Sequence, residues 1–301
     1  MKKIGIVTDS HSSISQEEAE TRGIYVLQAP FQVDGQICHE GVDLSRAVFF
    51  QKQISGSEIF TSQPSLQELM DVWDKALLVY EKILYIPISS GLSGCCNTAI
   101  LLSKEDKYKG RVFVVDNGRV SVPQYCTILD ALDLIEKGLS PEEIKAVLEE
   151  YRADEVIYVA IDDITYLKKG GRISSGSAAI ASVLNIKPIM KFDVGTIDVY
   201  KKCRGMSRAK HEMFMAIRYD LETRFRPWYE RGDFYLMTAT AVEEADNEAF
   251  VKEVQQAFSG IKVYSGLLAL ATCAHIGYGG LGIGISCKPR FGEQHPRLVE
   301  G

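Results

Sequence analysis

No run of 18 apolar, uncharged residues occurs anywhere in the 301-residue chain, so no membrane-spanning helix is expected. The N-terminus, MKKIGIVTDS, carries two lysines but too short an apolar stretch for a secretory signal. An excess of basic residues is missing too. The formal net charge is −6, which argues against nucleic acid as a partner, because phosphate binding asks for a basic face. Cysteines 38, 95, 96, 126, 203, 273 and 287 include no CxxC pair and are odd in number, so neither a zinc site nor a disulfide framework follows. Histidines 11, 39, 211, 275 and 295 show no metal-ligand spacing. There is no P-loop and no acidic pattern suited to a catalytic metal, so the chain is not expected to bind ATP or to catalyse alone. The expectation is a cytoplasmic protein with free thiols, no metal and no cofactor.

The composition present is that of a globular protein, 46% hydrophobic and 25% charged, long enough for one large domain or two of ordinary size. In the first half, strand-like and helix-like segments alternate. KIGIVTDS, KILYIPI and RVFVVD read as strands, and VDLSRAVFFQKQI, CCNTAILLSKED and YCTILDALDLIEKG as helices. SLQELMDVWDKALLVY opens with Ser65 and Glu68, a capping box. SPEEIKAVLEEYR has Ser140 as N-cap, Pro141 in the first turn and Glu143 at N3. Such alternation implies a mostly parallel sheet covered by helices.

The second half differs. EVIYVAID and DFYLMTAT are strand-like, SRAKHEMFMAIRYDLETRF and NEAFVKEVQQAF helical, and KPIMKFDVGTIDVYKKCR reads as a hairpin around Val194-Gly195-Thr196. TYLKKGGRISSGSAAIASVLNI reads as a basic, glycine-rich loop feeding a small-residue helix that starts at Ser174 or Ser175. IKVYSGLLAL and LGIGISCK are strands separated by ATCAHIGYGG. The expected fold is α/β in two domains. An N-terminal α/β domain, residues 1–152, holds the mostly parallel sheet with flanking helices, and a C-terminal α+β domain, residues 153–290, holds a mixed sheet with helices.

Hydroxyl-rich knots follow three strands. ISSGLSG, residues 88–94, combines a strand end, a glycine-rich turn and a helix N-terminus, where free N–H groups favour an anion. It is not a nucleophile elbow, because Gly91-Leu92-Ser93-Gly94-Cys95 lacks the last glycine of that pattern. TSQPS places Thr61, Ser62 and Gln63 before a capped helix, and VTDSHSS places Asp9, Ser10, Ser12 and Ser13 beyond the first strand. Each alone is explained as a cap or turn. Together they suit the crevice beyond the carboxyl ends of parallel strands, where ligands bind. KKGGRISSG, with Arg172, reads either as a solvated loop or as an anion clamp. CAHIGYGGLGIG holds a formal GxGxxG but no helix follows it, so dinucleotide binding is discarded. His275 before that loop is placed to present its ring to a ligand or partner.

At these residues the chain resembles the DegV family, bacterial fatty-acid-binding proteins that include the lipid-carrying subunit of fatty acid kinase. IVTDS, TSQPS, ISSGLSG, LKKGGRIS, KPI, the K-x-R-G step at Lys202 to Gly205 and the loop after His275 carry the resemblance, from about residue 3 to 287. It implies one long-chain fatty acid held between two domains, its carboxylate at Thr61 and Ser93 with Ser62 and Gly94 beside them. It also implies that Arg204 and His275 lie near the head group or face a partner kinase, and that Arg172 supports the same region. The implied partners are the fatty acid, the catalytic subunit of a fatty acid kinase and, for lipid exchange, a transient membrane surface. The chain departs from the family at Cys95 and Cys96, where threonine is frequent after ISSGLSG, at Asn117-Gly118, and in lacking a proline in the loop after His275. Two other readings stay open: a hydrolase or transferase acting on a small anionic substrate with Ser93 as nucleophile, and a carrier or sensor that works without a kinase.

Overall fold

The computed structural model describes residues 2–172, 185–194, 196–293 and 295. Strand β1 (Lys2–Asp9) leads through helix α1 (Gln16–Arg22) to β2 (Tyr25–Leu27). Three short strands, β3 (Phe31–Val33), β4 (Gln36–Cys38) and β5 (Ile59–Thr61), form a small antiparallel sheet in the order β4-β3-β5, with α2 (Arg46–Ile54) between the last two. Then come α3 (Leu66–Val79), β6 (Tyr80–Ile86), α4 (Cys95–Leu102), β7 (Val112–Val114), α5 (Val122–Glu136) and α6 (Pro141–Glu150). Strands β2-β1-β6-β7 make one wholly parallel sheet.

From Glu155 onward the elements are β8 (Glu155–Ala160), α7 (Thr165–Gly170), β9 (Ile186–Asp193), β10 (Thr196–Arg204), α8 (Met206–Glu222), α9 (Arg226–Tyr229) and β11 (Phe234–Ala241). The chain finishes its regular structure with α10 (Glu244–Ala257), β12 (Val263–Leu267), α11 (Leu270–Ile276) and β13 (Gly280–Cys287). The second sheet runs β10-β9-β8-β13-β11-β12 and is mixed, since only β11 and β12 pair in parallel. The fold is thus mixed α/β with a parallel sheet first and a mixed sheet second, as expected.

Local chemistry explains the helix starts. The Ser65 hydroxyl accepts the Glu68 N–H at 3.2 Å while Glu68 accepts the Ser65 N–H at 2.7 Å, and Ser140 and Glu143 repeat the exchange. The alternation along strands shows in the cores. Ile83 and Tyr85 pack under α3 and α4 with Trp73 and Cys96, whereas Leu84 and Ile86 pack under α5 and α6 with Ile128 and Ile144. In β8, Val156 and Tyr158 face α8 and α10, and Ile157 and Val159 face the other way. That other face carries the core that positions the site. It joins Phe31, Phe49 and Phe50 of the small sheet and α2 to Ile157, Met190 and Phe192 of the second sheet, and to Leu270 and Ile276 of α11.

The structure departs from the expected elements in four places. The small sheet was not anticipated, because three-residue strands are too short to display an alternation. Thr165–Gly170, expected as loop, is a helical turn that buries Leu167. Leu270–Ile276, expected as a connection, is helix α11, and His275 sits in its last turn rather than on a glycine-flanked loop. Helix α5 begins at Val122, three residues before Tyr125, with Pro123 in its first turn. The helix expected from Ser174 or Ser175 lies outside the described residues, as does Gly195 in the hairpin turn. Among the described residues no helix is long and apolar enough to cross a membrane.

Candidate functional site

Beyond the carboxyl ends of β1 and β6, loops are gathered by one buried carboxylate. Asp9 accepts N–H bonds from His11 at 3.1 Å and from Ile88 at 2.8 Å, and the Gln124 side chain donates to it at 3.0 Å. Most hydroxyls of the two knots are used up in building these loops. Ser10 accepts from Ala29 N–H, Ser12 donates to the Asp9 carbonyl, and Ser13 pairs with Ser121. Ser89 accepts from Gly91 N–H, and Ser90 donates to Asp116 at 2.6 Å. These residues are scaffold.

The remaining groups converge. Thr61, Ser62, Ser93, Gly94, Arg172 and His275 all line one cavity of about 380 Å³. Its apolar lining comes from Ile88, Leu92, Val120, Phe192, Ala271 and Ile276, drawn from both sheets' surroundings. The TSQPS and ISSGLSG segments touch directly. Gln63 accepts a hydrogen bond from the Thr98 hydroxyl at 3.3 Å, and a side-chain carbon added at Gly94 would sit 3.3 Å from the Gln63 amide oxygen. Ser93 Oγ accepts the Cys95 N–H at 3.3 Å, and its hydroxyl also hydrogen-bonds the Cys95 thiol, a weak acceptor that competes poorly with a carboxylate for that proton. Cys95 follows Gly94 as the first residue of α4. Its thiol is buried among Ile88, Val120 and Leu92, and burial pushes it up to about 11, so it stays protonated.

Thr61 Oγ1 lies 2.8 Å from His275 Nε2. Burial, with the charges of Arg172 and His11, lowers the His275 value to about 4, so the ring is neutral near pH 7. His275 Nδ1 is buried and has no hydrogen-bond partner among the described residues. It lies against Gly170, where an added side-chain carbon would come within 2.0 Å of it. An unpaired buried N–H costs more than an unpaired acceptor, so the tautomer with its proton on Nε2 is favoured. His275 then donates to Thr61, and the Thr61 hydroxyl is left to donate to a ligand.

Arg172 lines the cavity and donates to the Gly170 carbonyl at 2.6 Å. Arg204 stands apart. It is exposed at the end of β10, paired opposite Ile186, and does not line the cavity. Two residues that motif reading passed over also reach the site, His11 and Thr272, whose Nδ1 and Oγ1 are 3.0 Å apart. The signal for His11 was its place inside VTDSHSS, whereas nothing in sequence marks Thr272, 261 residues away. Ser93 has neither an imidazole nor a carboxylate partner among the described residues, and no group of three or more His, Cys, Asp or Glu could hold a metal there. The arrangement brings hydroxyl donors and the Arg172 cation to a cavity walled in part by apolar side chains, and gives Ser93 no activating base among the described residues.

Residues 3–288 match the family model described as "Uncharacterised protein, DegV family". A DegV domain-containing protein of Caldanaerobacter subterraneus is 31% identical over 209 residues, 69% of this chain and 74% of that protein. Protein DegV of Bacillus subtilis is 28% identical over 287 residues, 93% and 98% of the two chains. Among solved structures, a DegV family protein from Thermus thermophilus, described by its fatty acid binding, superposes with a TM-score of 0.82 at 28% identity, covering 95% of this chain and 99% of that one. The structure of DegV from Bacillus subtilis, described as a fatty acid binding protein, gives 0.80 at 26% identity, covering 96% and 100%.

Proposed function

The chain belongs to the DegV family, and on that premise we propose that it binds one long-chain fatty acid in the cavity beside Thr61 and Ser93 and presents its carboxylate to a separate ATP-dependent kinase. One observation carries the reading: the hydroxyls of Thr61 and Ser93 open into one cavity whose apolar wall is made by Ile88, Leu92, Val120, Phe192 and Ile276. Burying an acyl chain gains about 0.8 kcal/mol per methylene, so the fourteen of a sixteen-carbon acid offer roughly 11 kcal/mol before association costs. The head group then needs only to avoid the penalty of an unsatisfied buried carboxylate, which hydroxyls and backbone N–H groups prevent. Neutral donors also suit a carboxylate that is to become an acyl phosphate, since a tight ion pair would resist that exchange.

In this reading the protein positions and does not catalyse. It uses no cofactor, the kinase is its partner, and Arg204, exposed at the end of β10, serves the docking face. The buried thiols of Cys38, Cys95, Cys96, Cys126, Cys203 and Cys273, none in a disulfide, support a cytoplasmic setting. We place the division between the two domains near residue 152, in the turn Tyr151–Ala153, because the last strand of the parallel sheet ends at Val114 and the first of the mixed sheet starts at Glu155.

Native mass spectrometry of the purified protein, before and after addition of palmitate, tests the lipid reading; an unliganded mass in both samples overturns it. Pull-down with the kinase subunit and assay for acyl phosphate tests the partner. Lipid binding without capture or turnover would leave a carrier that acts without a kinase. For the partner face, Arg204→Ala is expected to reduce acyl phosphate formation about tenfold or more while leaving lipid retention intact. Equal loss of both would make Arg204 a pocket residue.

A further inference from the structure

On the far side of the Thr61–His275 pair lies a second cavity, of about 350 Å³. It shares Thr61, Arg172 and His275 with the first, so the hydrogen-bonded pair forms the wall between them. The two compartments differ in chemistry. Beside the apolar Ile59 and Phe60, the second is lined by Gln53, Ser57, Glu58, Tyr166 and Lys169. Gln53 and Tyr166 are already engaged: the Tyr166 hydroxyl donates to the Gln53 carbonyl at 3.2 Å, and the Gln53 amide spans the Cys273 carbonyl at 2.9 Å and the Tyr278 N–H at 3.1 Å. That leaves Lys169, exposed at the end of α7, and Arg172 as the cations on this side, against the one carboxylate of Glu58. Lys169 has no ion pair among the described residues.

We infer that this second cavity is an anion compartment that holds the phosphoryl group of an acyl phosphate while the acyl chain stays in the first. The inference rests on the fatty-acid reading above. A carboxylate seated at Thr61 and Ser93 sits at the junction of the two spaces. A group added to its oxygen has to project away from the apolar lining, past Thr61, into the volume beside Lys169. A free carboxylate is satisfied by the neutral donors alone. An acyl phosphate brings additional negative charge, and charge-assisted bonds meet it from Lys169, which lines only this cavity, and from Arg172, which borders both.

The test compares two probes: palmitate, and 2-oxoheptadecylphosphonate, in which CH₂ replaces the bridging oxygen of palmitoyl phosphate. Each is titrated by calorimetry into the full-length wild type and into Lys169→Gln. Lys169 is exposed and lines only the second cavity, so the variant is expected to fold and to hold palmitate as before. The expected result is about a tenfold loss of phosphonate affinity with palmitate affinity unchanged, and recovery in Lys169→Arg. A change in the ratio of the two affinities of less than about threefold overturns the inference while leaving the fatty-acid reading in place. Failure of palmitate itself to bind the wild type overturns the fatty-acid reading, and this inference with it.

Discussion

Thr61 and Ser93 are the residues on which the head-group chemistry turns, and each has a proton to give for a different reason. Thr61 is filled as an acceptor by His275 Nε2, and Ser93 by the Cys95 N–H. Thr61→Val keeps the shape and removes the donor, so fatty-acid affinity should fall about tenfold, the worth of one charge-assisted bond. Ser93→Ala should do the same, and Thr61→Ser should keep most of the affinity. Retention measured by competition with a fluorescent fatty acid checks all three, and unchanged retention in both Thr61→Val and Ser93→Ala removes the head group from this end of the cavity. His275 adds a pH dependence whose sign follows from its lowered value of about 4. The unfolded chain takes up a proton near the ordinary histidine value of about 6.5 while the folded protein does not, so this contribution to stability is present above that value and is lost as pH falls toward 4. Thermal melts of His275→Gln should lose part of the wild-type decline over that window, and a decline of the same steepness in both proteins would mean that His275 titrates freely. The hydroxyl clusters themselves were readable, since runs of serine after an apolar strand signal a strand end and a helix start. Which serines are spent could not be read. Ser89 and Ser90 look like Ser93 in sequence, but Ser89 is fully buried away from the cavity and Ser90 is held by Asp116, whereas Ser93 lines the cavity.

The elements that set this chemistry are helices α7 and α11, and their approach depends on one missing side chain. Gly170, the last residue of α7, stands where an alanine carbon would come within 2.0 Å of His275 Nδ1. A glycine next to a lysine pair reads as loop in sequence, and α11 hides in LATCAHI, which lacks a capping side chain and is followed at once by glycines. Hence both helices, and the contact between them, escaped sequence reading, while α3 and α6, announced by their capping boxes, did not. The consequence is testable. Gly170→Ala should push the His275 ring off Thr61, costing about 1–3 kcal/mol of stability by overpacking and weakening fatty-acid retention. Adding His275→Ala to that variant should return the stability but not the retention. Urea denaturation that shows no recovery in the double variant would place the strain in the backbone instead of at the ring.

Across the whole molecule, the two sheets are held together by α5, which reaches both. Its Ile128, Ala131 and Leu134 pack on the parallel sheet, and its Val122 and Cys126 join the core of the mixed sheet. The two-sheet character was legible from alternating segments. The way the halves meet was not, because the short strands of residues 31–61 and the small residues of α11 carry no periodic signal. One polar contact in this seam predicts the pH behaviour of the fold. The Tyr235 hydroxyl of β11 donates to Asp130 of α5 at 2.8 Å, and Asp130 Oδ2 is buried with no partner among the described residues. Burial pushes the Asp130 carboxyl up to about 7, against the pull of Arg119, the Tyr235 bond and Lys288, and the charge of Asp133 adds to the rise. The folded chain therefore keeps a proton that the unfolded chain has already released above the ordinary carboxylate value. Stability from this group is complete at acid pH and is lost as pH rises through about 7. A shift of roughly three units corresponds to about 4 kcal/mol at most. Asp130→Asn keeps an acceptor for Tyr235 and removes the titration, so its stability should be flatter than wild type between about pH 5 and pH 9, with the two curves diverging most at the alkaline end. Urea midpoints across that range decide the matter. Parallel curves would show that Asp130 is ionised in the fold, compensated by Arg119, and that the seam between the sheets is indifferent to pH.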